Sequence, residues 1–96
     1  MPHNTPLVTP TVHMNGTGFS DLWDGYTAID ADLHKLADSF SKVEFNARDY
    51  YVQGPEAYTS ARDTRYSMAQ KLRDIQEYVN TIRMALDCQR PPTARV

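Results

Sequence analysis

The stretch FSDLWDGYTAIDADLHKLADSF, residues 19–40, decides the fold class. Its apolar residues Phe19, Leu22, Tyr26, Ile29, Leu33, Leu36 and Phe40 recur in alternating steps of three and four. That spacing lines one face of an α-helix with a heptad seam. Trp23 and Ala37 widen the seam on one flank. The helix is expected over about 18–40, beginning at Thr17 or Gly18, with Asp21 in the first turn, where a negative charge suits the exposed N–H groups. Gly25 lies inside it at a cost of about 1 kcal/mol relative to alanine, which suggests a close backbone approach beside Tyr26.

A second periodic segment follows. Tyr58, Ala61, Arg65, Met68, Leu72, Ile75, Val79, Ile82 and Leu86 repeat the same alternation. They predict a helix over 55–87, on the order of 50 Å long. It would start at Gly54-Pro55, with proline in the favoured first position, and stop at Arg90-Pro91-Pro92. Between the two helices, Ser41 to Gly54 breaks the period, and a connection of that length is uncommon in a small domain unless it carries function.

The expected architecture is all-α: an antiparallel two-helix hairpin with a long connecting loop, occupying 12–88. Met1 to Thr11 carries prolines at 2, 6 and 10 among threonines and reads as a flexible, polyproline-like arm. Residues 89–96 read as a flexible tail. Val12 to Thr17 ends in an Asn-Gly turn signal.

Charge supports pairing of the helices. Residues 18–44 hold six acids and two bases, and residues 54–90 hold five acids and six bases. Such exposed pairs contribute only about 0–1 kcal/mol each. A lone hairpin buries each seam residue on one side only. Full burial of a Leu or Ile is worth roughly 1.5–3 kcal/mol, against about 1–2 kcal/mol to order each residue's backbone. Two hairpins face to face would make a helical bundle and about double the burial, so a homo-oligomer is expected. The alternative is a monomer in which the loop and arm fold over the open seam.

With 41% apolar and 23% charged residues, the 96-residue chain has the composition of a globular domain rather than a disordered one. The single Cys88 excludes an internal disulfide, and no Cys/His cluster suggests zinc, so no metal or cofactor is expected. No apolar run is long enough for a membrane span, and no secretion signal opens the sequence, so the cytoplasm is the expected compartment. A net charge of −2 gives no global basic footprint for duplex nucleic acid.

The run Asn46-Ala47-Arg48-Asp49-Tyr50-Tyr51-Val52-Gln53-Gly54-Pro55 holds the candidate site. Arg48 offers a bidentate fork for phosphate or carboxylate. Tyr50 and Tyr51 offer stacking faces with polar tips, Asp49 and Gln53 further polar groups, and the start of the second helix free N–H groups. Tyr58, Arg62 and Arg65 follow within three turns. Together they would suit an anionic ligand with a flat ring, such as a nucleotide. A structural reading stands beside this one: Arg48–Asp49 as a local salt bridge, with Tyr50 and Tyr51 covering the end of the hairpin.

Arg65 is the charged residue within the second seam, where a polar group often sets register and calls for an acidic partner on the first helix. Asp30, His34 and Asp38 form an i, i+4, i+8 stripe that reads as a solvated face rather than a metal site. His13 and Asn15 flank the first turn, and would join Arg48 in one site only if a second subunit brought the two ends together. Nucleophile motifs, a Gly-rich phosphate loop and paired catalytic carboxylates are all missing, so catalysis is not expected.

The segments Thr11-Val12-His13-Met14-Asn15-Gly16-Thr17 and Ala47-Arg48-Asp49-Tyr50-Tyr51-Val52-Gln53-Gly54-Pro55 resemble a group of small hypothetical proteins of tailed bacteriophages and prophages. The resemblance covers roughly residues 11–86, with Ala47 where the group carries glycine and Arg65 where it carries histidine. It implies phage origin and action in the host cytoplasm. By analogy with small phage oligomers, two roles are expected: sequestering a nucleotide signal of host defence, or binding and inhibiting a host or phage protein.

Overall fold

The computed structural model describes residues 7–92. Two long helices, α1 (Phe19–Lys42) and α2 (Ala57–Asp87), carry the fold, and two 3-10 turns, Ala47–Asp49 and Tyr51–Gln53, lie between them. No strand occurs among the described residues. The protein is therefore all-α, with α1 and α2 packed on each other.

α1 opens where its first backbone bond forms, from the Leu22 N–H to the Gly18 carbonyl at 3.2 Å. Asp21 in the first turn and Lys42 in the last both oppose the charge of the helix end they occupy. α2 begins at Ala57, two residues later than the proline signal suggested. Pro55 sits instead in a turn closed by the Ala57 N–H on the Gly54 carbonyl. Gly54 stands there at φ 127°, a backbone region effectively reserved for glycine. Tightened bonds from Gln89 to Leu86 and from Arg90 to Asp87 end α2 before Pro91.

Contacts divide the described residues into two units, one made of 7–30 with 78–92, the other of Ala31–Glu77. In the first unit, Phe19, Ile82 and Leu86 are buried, and Val12, Leu22, Trp23 and Tyr26 pack against them. Gln89 ties the segment before α1 to this core. Its Oε1 accepts from the Val12 N–H at 2.7 Å, and its Nε2 donates to the carbonyls of Pro10 at 2.9 Å and Ala85 at 3.2 Å. Residues 1–6 of the arm and 93–96 of the tail lie outside the described residues.

The second unit buries less. Leu33 is its one core residue, while Leu36, Met68 and Ile75 remain about half exposed although they occupy seam positions. With Phe40, Leu72 and Lys71 they line an open apolar groove of about 210 Å³.

The close approach expected at Gly25 is not found: a Cβ built there meets nothing within 4 Å outside its own helix backbone. Gly25 thus loses backbone entropy on folding with no packing gain. Gly25→Ala is expected to stabilise the protein by about 0.5–1 kcal/mol. Urea unfolding would show this as a higher midpoint at constant slope, and an unchanged or lower midpoint would contradict it.

Candidate functional site

The loop residues divide into an inner and an outer set. Phe45 is the hub of the inner set. Its ring lies 5.2 Å from that of Tyr50 and 5.5 Å from that of Tyr58, and Tyr50 and Tyr58 are 6.4 Å apart. All three pairs are tilted, the arrangement that aromatic quadrupoles prefer.

Arg65 closes this cluster. Its guanidinium carbon lies 4.6 Å from the Phe40 ring centroid and 5.1 Å from that of Phe45. Its Nη2 donates to the Phe40 carbonyl at 3.0 Å. Phe40 belongs to the last turn of α1, whose carbonyls have no partner within the helix, and a cation there also meets the negative end of the helix dipole. The acidic partner expected for Arg65 is thus replaced by a backbone carbonyl and two ring faces.

The outer set points to solvent. Arg48, Asp49, Tyr51, Val52 and Gln53 are all exposed. Arg48 and Asp49 make no side-chain hydrogen bond or ion pair among the described residues, so the expected local salt bridge is not formed. Arg62 is exposed as well and pairs loosely with Asp63 at 3.4 Å. The structure brings Tyr50, Tyr58 and Arg65 together and leaves the other loop residues on the surface.

His13 and Asn15 belong to the first unit, both exposed. The His13 carbonyl accepts from the Gly16 N–H at 3.1 Å, closing the Asn-Gly turn, and its imidazole lies over Gly16, where a Cβ would come within 2.8 Å of Nε2. Of the acidic stripe on α1, Asp30 pairs with Arg83 at 3.6 Å and Asp38 with Lys42 at 2.8 Å.

A second set of residues was not singled out by sequence reasoning. In the first unit, Trp23 stacks on Phe19 with ring centroids 5.9 Å apart, and two guanidiniums lie over the indole, Arg83 at 4.9 Å and Arg90 at 4.7 Å. Arg90 also covers Phe19 at 4.8 Å. Trp23, Arg83 and Arg90 border a cleft of about 350 Å³ whose remaining walls are Asn80, Met84, Asp87 and Cys88. Arg90 lies beyond the end of α2, so no helical spacing along the chain links it to Arg83. Nearby, burial and then the facing Tyr78 hydroxyl raise the Tyr26 phenol above its ordinary value of 10.0. No described helix is long and apolar enough to cross a membrane.

Comparison with protein families, curated proteins and solved structures finds no match for this chain.

Proposed function

We propose that this chain is a non-enzymatic binding protein of bacteriophage type, a helical hairpin that pairs with a second copy of itself and holds a host or phage protein. The supporting observation is the open groove of the second unit, where Leu36, Met68 and Ile75 are 53%, 43% and 50% exposed at heptad positions. Seam residues repeat every 3.5 positions to meet another helix, and here the neighbouring helix covers only half of each.

A second copy is the fitting occupant. The groove has one charged wall residue, Lys71, and its other walls are the apolar side chains of Leu36, Phe40, Met68, Leu72 and Ile75, so the same face of a second copy complements it. In a two-fold pairing the apolar residues of the two copies meet one another. The exposed Tyr51 and Val52 beside Arg48 then form a surface for the bound protein, since aromatic and arginine side chains supply most binding energy at such patches.

Capture of a nucleotide-like anion at the same loop is the second reading. It is favoured by Arg48, whose fork has no partner among the described residues and which is exposed in the same loop as Tyr51.

Mass measurement under native conditions tests the assembly. The expected result at micromolar concentration is a dimer or a higher multiple. Ile75→Glu places two like charges in the pairing surface, and is expected to return the chain to a single subunit with its helical circular dichroism intact. Ile75 is half exposed, so the fold itself tolerates the change. A wild-type chain that is a single, cooperatively melting subunit would overturn the proposal.

A further inference from the structure

We infer that the cleft bordered by Trp23, Arg83 and Arg90 is a binding site for a small flat anion, an aromatic ring carrying a phosphate or carboxylate. The ligand class is that of the second reading above, but the residues are different, and the two stand or fall separately.

Three observations carry the inference. The first is size and lining. A cleft of about 350 Å³ falls in the range of roughly 300–1,000 Å³ typical of small-molecule sites. Its walls combine the indole and the Met84 side chain with a few polar groups, the mixture that holds a ring and orients one charged end.

The second is the state of the two arginines. Their side chains are only 23% and 22% exposed, and both lie over the indole, so they are partly desolvated and fixed before any ligand arrives. Preorganisation of this kind lowers the cost of binding. Stacking uses the guanidinium faces and leaves the edge N–H groups for an anion.

The third is unused donor capacity. A guanidinium has five N–H donors. Arg90 uses Nε on Asp87 at 2.9 Å, and its Nη groups have no other partner among the described residues. Arg83 uses Nε on Thr27 at 3.3 Å and Nη1 on Asp30 at the long distance of 3.6 Å. Asp87 is 60% exposed, and an ion pair so open to water contributes about 0–1 kcal/mol, so a ligand anion can take its place on Arg90.

Trp23 is the chain's single tryptophan, so its fluorescence reports on this cleft alone. The experiment titrates the full chain with adenosine monophosphate, benzoate and inorganic phosphate, exciting at the red edge of the indole band. Saturable changes are expected with one or both ring-bearing anions at sub-millimolar concentration. Arg90→Ala is expected to weaken binding at least tenfold and Asp87→Asn to tighten it, with Arg73→Ala, an exposed arginine away from the cleft, unchanged. Arg90→Lys covers the case in which the alanine variant unfolds: it keeps the charge, loses the fork, and should bind several-fold more weakly. No saturable change with either ring-bearing anion overturns the site, as does an equal response to inorganic phosphate alone. Undiminished binding by the folded Arg90 variant, or loss of binding in Arg73→Ala, also overturns it.

Discussion

Leu86→Ala is expected to destabilise the protein by about 2–5 kcal/mol, the range seen when a fully buried leucine leaves a cavity that its neighbours cannot refill. Leu86 has no exposed surface and lies beside Ile82 and Phe19, with Trp23 and Tyr26 against the same cluster. A ring stacked between other groups cannot easily move into the space. Trp23 is held by Phe19 on one side and by guanidiniums over its face, so collapse around the lost methyl groups is limited. Val52→Ala serves as the control, because Val52 is 77% exposed and its truncation should stay within about 0.5 kcal/mol. Urea unfolding of both variants checks the contrast. A Leu86→Ala loss below about 1 kcal/mol would mean that the core does not rest on this residue.

Arg65→Ala carries the second large effect. It removes a charged hydrogen bond to the Phe40 carbonyl, a term of roughly 1.5–3 kcal/mol. It also removes a cation from over two rings, each contact worth about 0.5–1 kcal/mol. These contributions overlap, and a total loss of about 2–3 kcal/mol is expected. Arg65→Lys separates charge from shape. Lysine keeps the attraction to the helix end but has no planar fork to stack and donate at once, so it should restore only part of the stability. Hydrogen exchange at the last turn of α1 gives a local readout, with faster exchange in Arg65→Ala. Full rescue by lysine would show that charge alone acts here, and no loss in either variant would remove Arg65 from the account.

The two helices were legible because heptad spacing is a local property. Phe19, Leu33, Val79, Ile82 and Leu86, all buried, were all seam positions. α2 starts two residues beyond Pro55 because a proline signal marks either a first helical turn or the turn before it. In the candidate loop, the division between an inner Tyr50 and an outer Tyr51 could not be read from two adjacent tyrosines. It depends on Phe45, which the sequence gives no special mark, and on the 3-10 turns that send successive side chains in different directions.

The all-α class, the approximate extent of both helices and the face of each that carries its apolar residues are written locally in the chain. Those follow from backbone periodicity and from where glycine and proline interrupt it. Only tertiary structure decided which seam positions are covered, what satisfies Arg65, and that Trp23 gathers Arg83 and Arg90 from sixty and more residues away. Burial, stacking and shared hydrogen bonds depend on distances through space, and no spacing along the chain encodes them.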